Sequence, residues 1–110
     1  METYRGDTFE FDFNASSING EAYIFKAGDS LKVGVKEKAS NIKYVLFKKI
    51  DIKEETDTIP IVFSHEEMKK CYVGDKILEI ELTDKDGNVR TLYQDKLTIL
   101  EDIINEWNKR

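Results

Sequence analysis

The chain has 110 residues, of which 40% are apolar and 35% carry a formal charge, and its net charge is −5 at pH 7. This length suits one domain, which can bury one core without disulfides or a metal. A mildly acidic surface repels phosphate backbones and anionic lipid, so neither nucleic acid nor a membrane is expected as a partner. The N-terminus has no basic region followed by an apolar stretch, so we expect no signal peptide and synthesis in the bacterial cytoplasm.

Alternation of apolar and polar residues is the main structural signal, and it predicts a series of short β-strands. Three aromatic residues share one face of the segment 9–13, and three aliphatic residues share one face of the segment 31–35. The same kind of pattern predicts further strands at 22–25, 42–52, 59–63, 78–82 and 89–100.

Two of these segments conflict with simple alternation. In the segment 42–52, the residues predicted to face the core are Ile42, Tyr44, Leu46, Ile50 and Ile52. Val45 and Phe47 then point outward, so the strand has either a bulge near Lys48 or a partly apolar outer face. In the last strand the predicted core face carries Val89, Tyr93, Leu97 and Ile99. Asp95 falls on that face, which predicts a bulge there.

Helix and turn signals separate the strands. Ser64 and Glu67 have the spacing of a capping box, which predicts a short helix at 64–71. Pro60 cannot donate a ladder hydrogen bond, so its strand is expected at a sheet edge. The loop 84–88 contains Asp-Gly between alternating segments and predicts a hairpin.

The predicted fold is all-β: an immunoglobulin-like antiparallel β-sandwich at 1–100 with one short helix, followed by a tail at 101–110. No long helices separate the strands, so a parallel sheet is not expected. In the tail, Leu100, Ile103, Ile104 and Trp107 recur at helical spacing. A lone helix of this length is marginal in water, so its apolar face must pack on its own sandwich, on another subunit or on a tail protein. The candidate protein-contact residues are Phe47 and Val62 on outward faces, with Ile103 and Trp107 in the tail.

The sequence contains no recognisable catalytic or metal-binding constellation. His65 begins a segment similar to a zinc-protease helix, but the second histidine is absent, and one His with one Cys cannot build a zinc site. The loop 84–88 is not followed by the glycine and glutamate that a calcium loop needs. A triad with His65 as the base is disfavoured by its place in the first turn of a helix. Cys71 is interpreted as a small buried hydrophobe. We therefore expect no enzyme, no cofactor and no metal.

The order of several turn and strand motifs is the basis of a family resemblance. The motifs are Tyr4-Arg5-Gly6-Asp7-Thr8-Phe9, Ala27-Gly28-Asp29 before the strand at 31–35, Gly74-Asp75 before the strand at 78–82, the Gly87 hairpin, and the final strand from Val89. Together they resemble the small β-sandwich domains encoded in phage and prophage tail modules, and they are similar to the N-terminal domain of baseplate upper proteins. The chain departs from that family at Asp95, where a glycine is common, and at Lys76 and Ile77, where an aromatic residue is common.

This resemblance implies a structural or adaptor module of a phage or prophage tail, acting in baseplate or fibre attachment through protein–protein contacts. The implied partners are other tail or baseplate proteins, with a homo-oligomer as a further option, and the implied location is the cytoplasm during assembly and then the virion tail. The alternative is a ligand-binding β-sandwich such as a carbohydrate-binding module. Such modules usually expose a planar row of aromatics, and here only Phe47, Tyr72 and Trp107 are predicted off the core faces.

Overall fold

A computed structural model gives the structure of residues 1–16 and 20–101. Within these residues the chain forms seven strands and one helix. In chain order they are β1 (Glu2–Tyr4), β2 (Phe9–Phe13), β3 (Ser30–Lys36), β4 (Leu46–Asp51), β5 (Ile59–Phe63), α1 (His65–Met68), β6 (Gly74–Thr83) and β7 (Val89–Leu100).

The strands form two sheets that enclose one core. The larger sheet has the order β1-β7-β6-β3-β4, and the smaller one pairs β2 with β5. All neighbouring strands are antiparallel except β1 and β7, which are parallel. The prediction of an all-β, sandwich-like fold with one short helix is confirmed. The parallel pair was not expected. Apart from Glu101, the predicted helical tail lies outside the described residues.

Alternate residues of the two sheets form the core. Leu31, Val33 and Val35 of β3 lie opposite Leu82, Ile80 and Leu78 of β6 in register, and all six are buried. The smaller sheet contributes Phe9, Phe13, Ile59, Ile61 and Phe63. Burial of one such side chain stabilises the fold by about 1.5–3 kcal/mol, so the shared core holds the two sheets together. Pro60 lies in β5, which pairs with β2 alone among the described residues, so its strand is at a sheet edge as predicted.

The helix α1 begins with the predicted capping box. The Ser64 hydroxyl accepts from the backbone N–H of Glu67, and the Glu67 carboxylate accepts from the backbone N–H of Ser64. The helix ends at Met68, earlier than predicted, because the following backbone hydrogen bonds join residues three apart, as in a 3₁₀ turn. One of them runs from the Cys71 N–H to the Met68 carbonyl at 3.0 Å. Met68 and Cys71 are fully buried, so this short turn closes one part of the core.

The segment 42–52 differs from its predicted strand at its first half. The strand begins only at Leu46, and Ile42 is 93% exposed, so the prediction that Ile42 and Tyr44 face the core is wrong. Leu46 is buried as predicted. The register between β3 and β4 is continuous, so the strand has no bulge at Lys48 and its outer face is partly apolar.

The predicted bulge at Asp95 and the predicted strand at 22–25 are also wrong. Asp95 keeps its ladder position opposite Leu78, while the register shifts at Leu92, which has no partner between Tyr93 and Thr91. One extra residue turns the following side chains to the other face, which explains why Val89 is exposed although alternation places it on the core face. The segment 22–25 forms isolated bridges at its two ends instead of a strand.

Candidate functional site

Two exposed aromatic residues lie side by side on the outer face of the larger sheet. Phe47 in β4 is directly opposite Gly34 of β3, and its side chain is 48% exposed. The ring centroids of Tyr44 and Phe47 are 5.2 Å apart, with 44° between the ring planes. We call Tyr44 and Phe47 the aromatic patch. Phe47 is part of an edge strand, since among the described residues β4 pairs only with β3.

The position of Tyr44 is fixed by the backbone beneath it. A Cβ at position 34 would lie 2.1 Å from a ring carbon of Tyr44, so only glycine lets the ring rest on β3. The Nζ of Lys36 lies 4.9 Å from the centroid of the Tyr44 ring and 3.5 Å from a carboxylate oxygen of Glu79. The aromatic patch is therefore supported from below by Gly34 and from the side by Lys36.

Lysines and acids together surround the aromatic patch. Lys32 and Lys49 are directly opposite in the β3–β4 register, and both lie on the outer face with Lys36. Like charges at opposed positions are destabilising. On its other side Lys32 faces Glu81 of β6, which offsets part of the repulsion. The Nζ of Lys49 lies 3.8 Å from Asp51 Oδ1, and Lys36 contacts Glu79, so the rim of the patch carries charges of both signs.

Contacts of Lys48 join β4 to the smaller sheet and to α1. Lys48 points inward, and its Nζ donates to the Val62 carbonyl and to Glu67 Oε1 at 3.2 Å. The same Nζ lies 5.2 Å from the centroid of the Phe63 ring. The pKa of Glu67 is lowered, first by the backbone N–H of Ser64 and then by Lys48. Lys48 thus ties β4 to β5 and α1, to which no backbone ladder joins β4 in the part of the chain that the structure describes.

The structure places the predicted contact residues apart. Phe47 and Val62 are both exposed, as alternation predicts, at 48% and 40%. Phe47 lies on the outer face of the larger sheet and Val62 on the outer face of the smaller one, so they do not form one surface. Ile103 and Trp107 lie outside the described residues. The sequence pattern places Tyr44 in the core and misses its place in the patch. A lone glycine within a strand, here Gly34, indicates that another group approaches the backbone closely.

A cleft of 470 Å³ lies between the segment after residue 20 and the β6–β7 hairpin. Its lining residues are Glu21, Ala22, Tyr23, Ile24, Lys26, Asp29, Asp84, Lys85 and Asp86. Asp84 accepts from the backbone N–H groups of Asp86 and Asn88 at 2.9 Å, and the Asn88 contact lowers its pKa most. Burial raises the pKa of Tyr23, and the Asp29 charge adds to the effect.

Asp29 and Asp84, two of the acids that line this cleft, stabilise turns through hydrogen bonds to the backbone. Asp29 Oδ2 accepts from the backbone N–H of Lys26 at 2.9 Å, which closes the turn before β3. The Asp84 contacts close the hairpin that the sequence predicts at 84–88. In residues 1–16 and 20–101, no group of three or more His, Cys, Asp and Glu side chains could hold a metal ion.

His65 and Cys71 have structural surroundings. The Nδ1 of His65 donates to the Gly6 carbonyl, which ties the turn after β1 to the start of α1. Cys71 is fully buried, as predicted, and burial raises the pKa of its thiol. A raised pKa keeps the thiol protonated and weakly nucleophilic. Neither side chain forms part of the aromatic patch.

The geometry defines a class: a sandwich-like all-β domain whose larger sheet presents a supported aromatic patch with a rim of mixed charge. Comparisons with protein-family models, with curated proteins and with solved structures found no match to this chain. Across the part of the chain that the structure describes, no helix has the length and apolar character needed to cross a membrane.

Proposed function

We propose that this chain is a structural or adaptor module of a phage or prophage tail, and that it binds a neighbouring protein through the aromatic patch. The observation that carries the contact is the exposure of Phe47 and Tyr44 beside an edge strand, with Tyr44 held over Gly34. The assignment to a phage tail is supported by the order of sequence motifs, which resembles tail-module sandwich domains.

The patch has the features of a protein-binding surface. Aromatic residues are enriched at the centres of interfaces, because they bury a large area with few rotatable bonds. Tyr44 and Phe47 are already held in place by contacts with each other and with β3, so little conformational entropy is lost on binding. The rim carries charges of both signs and favours a partner with complementary charges around an apolar centre. Within residues 1–16 and 20–101 the outer edge of β4 has no strand partner, so its backbone groups are available to an added strand.

A crosslinking experiment in cells that assemble the particle tests this proposal. A photoreactive amino acid at Phe47 should link the chain to one tail or baseplate protein, and the chain should be present in purified particles or assembly intermediates. Val62 provides the matched control, since it is similarly exposed on the opposite face of the sandwich. Equal crosslinking from both positions, or particles assembled without the chain, would contradict the proposal.

The exposed aromatic pair also suits a second candidate, a carbohydrate-binding module. Sugar rings stack on flat aromatic platforms, whereas the Tyr44 and Phe47 rings are tilted by 44° and do not form one plane. The geometry therefore favours a protein partner. Affinity electrophoresis in gels that contain soluble polysaccharides separates the two candidates. Retardation that is lost in Phe47→Ala would favour the carbohydrate-binding module.

A further inference from the structure

The first half of β7 lies at a sheet edge without a neighbouring strand. The strand has twelve residues, and on this side β1 pairs with residues 98–100. Met1 adds one contact, from its amino group to the Lys96 carbonyl at 3.4 Å. Among the described residues, no strand pairs with residues 89–95 on this side, and we call this segment the open edge. Such an edge presents backbone groups that can bind another strand.

The ladders determine which backbone groups face the open edge. Thr98 N–H donates to the Met1 carbonyl at 2.9 Å, so the backbone groups of Thr98 face β1. Direction alternates along a strand, so those of Gln94 face the same side. The bulge adds one residue at Leu92, and beyond it the backbone groups of Thr91 face the open edge. Thr91 and Gln94 therefore offer N–H and C=O groups that the ladder with β6 does not use.

Opposite charges lie near the two ends of the open edge. Arg90 is opposite Leu82 in the β6–β7 register, and Asp95 is opposite Leu78. Because Leu82 and Leu78 are buried core residues, Arg90 and Asp95 lie on the same, core-facing side of the sheet. Both are exposed there. The open edge thus has a cation near one end and an anion near the other, on one face.

These two charges are not neutralised by contacts within the described part of the chain. Neither Arg90 nor Asp95 takes part in an ion pair there. Asp95 accepts instead from Lys96 N–H at 2.8 Å and from the Tyr93 hydroxyl at 3.2 Å. The Lys96 contact is the first cause that holds the pKa of Asp95 below its ordinary value, so the carboxylate is ionised at neutral pH. Both charges are available to a partner.

We propose that a second copy of the chain pairs antiparallel with the open edge, about a two-fold axis at the bulge. In this register Arg90 of each copy lies opposite the partner's Asp95, and Thr91 of each copy lies opposite the partner's Gln94. The bulge is present in both copies, so the members of each pair keep the same face. This inference does not depend on the proposed function, because the aromatic patch lies at the other edge of the sheet.

The register is specified by charge. Opposite charges at facing positions of two strands are stabilising, and like charges are destabilising. A slip by one residue in one direction would bring Arg90 opposite the partner's Lys96, and a slip in the other direction would bring it opposite Gln94. The Arg90–Asp95 pair occurs twice about the axis, as expected for a two-fold interface in which one surface binds itself. This self-complementarity favours a second copy over a different protein.

Apolar side chains lie between the two charged pairs. Leu92 and Tyr93 are partly buried and pack against the core of their own domain. In the proposed dimer they meet the same two residues of the partner at the axis. An apolar centre between polar groups is the usual arrangement of a protein interface.

The β4 edge is less suited to pairing with a second copy. When two β4 strands are placed antiparallel with greatest overlap, Lys48 or Lys49 always faces a lysine of the partner. Lysines on edge strands are one of the ways in which proteins prevent such pairing. The charges therefore favour β7 over β4 as the self-pairing edge.

Charge reversal followed by sedimentation velocity tests the proposal. The unaltered chain should change from monomer to dimer as its concentration rises. Arg90→Glu and Asp95→Arg should each weaken dimerisation by about tenfold or more, because each places like charges opposite one another at both symmetric contacts. A 1:1 mixture of these two variants should form dimers again, since each variant then meets the opposite charge in the other. Lys49→Glu is the matched control on the exposed β4 edge and should leave dimerisation unchanged.

Several results would overturn the proposal. These are an unaltered chain that stays monomeric at all concentrations, dimers that persist in both variants, a mixture that stays monomeric, or equal dissociation in Lys49→Glu. Far-ultraviolet circular dichroism establishes that each variant is folded. If a charge variant fails to fold, Gln94→Pro decides the question. Its missing N–H faces the open edge, so the ladder with β6 remains while pairing with a second copy is blocked. A dimer in Gln94→Pro would contradict the proposal.

Discussion

The two edges of the larger sheet carry apolar outer residues in different settings. At the β4 edge, Tyr44 is held by Gly34 and Lys36, and Lys48 fastens the strand to its neighbours. At the β1 edge, a three-residue strand pairs in parallel, and Arg5 is the described residue that contacts the Tyr72 ring. A supported apolar surface is suited to a separate partner, because little conformational entropy is lost when it binds.

The largest expected effect comes from filling the space under Tyr44. Gly34→Ala would place a Cβ 2.1 Å from the Tyr44 ring, so the ring must leave the patch or the strands must shift. Overpacking of this kind costs about 1–3 kcal/mol. Denaturant unfolding should show that loss, and the double variant with Tyr44→Ala should be less destabilised than the two single effects add up to. Additive effects would show that the Tyr44 ring does not rest on Gly34.

The next prediction concerns a buried lysine in β6, the central strand of the larger sheet. Lys76 is 5% exposed on the core face of β6, and its Nζ contacts both carboxylate oxygens of Glu37 at 2.8 and 2.9 Å. Glu37→Gln leaves the buried charge without its counter-ion and should cost about 1–3 kcal/mol. Lys76→Met removes the charge and keeps the apolar stem, so thermal unfolding should show a smaller loss. A larger loss in Lys76→Met would mean that the ion pair itself stabilises the sheet.

Lys48 gives a prediction that depends on pH. The lowered pKa of Glu67 means that its ionised form stabilises the fold above the ordinary pKa, and that this contribution disappears as pH falls through the lowered value. Lys48→Met should cost about 1 kcal/mol at neutral pH and reduce the acid-induced loss of stability. The backbone N–H of Ser64 is the larger cause, so part of the acid-induced loss should remain in Lys48→Met. Equal acid profiles of variant and parent would contradict the tie through Lys48.

Patterns in the sequence predict the elements whose structure depends mainly on residues within one segment. Alternation identifies β2, β5 and β6, and the spacing of Ser64 and Glu67 identifies the start of α1. The strand β1 escapes detection, because three residues are too few to alternate and their pairing with β7 is made across the whole chain. The bulge at Leu92 also depends on two strands, and no pattern within β7 alone reveals it.

In the aromatic patch, one residue is predictable from its own strand and the other is not. The outward position of Phe47 follows from alternation within its strand. Tyr44 lies before the strand begins, and its place over Gly34 is fixed by a loop that returns along β3. Periodicity assigns Tyr44 to the core. Gly34 is the sequence feature that indicates a side chain lying on the outer face of β3 instead.

The smallest expected effect on stability is at the centre of the proposed contact. Phe47 is half exposed and lies opposite a glycine, so Phe47→Ser should change the free energy of unfolding by about 0.5 kcal/mol or less. The same change should weaken binding to the partner found by crosslinking at Phe47 by about 2 kcal/mol or more, because aromatic residues at interface centres carry much of the binding energy. Calorimetric titration of that partner with the variant measures the second quantity, and Val62→Ser controls for loss of any exposed apolar side chain. If Phe47→Ser lowers stability and leaves binding unchanged, Phe47 is a packing residue of the β4 edge, and the two edges of the sheet do not differ in the way inferred above.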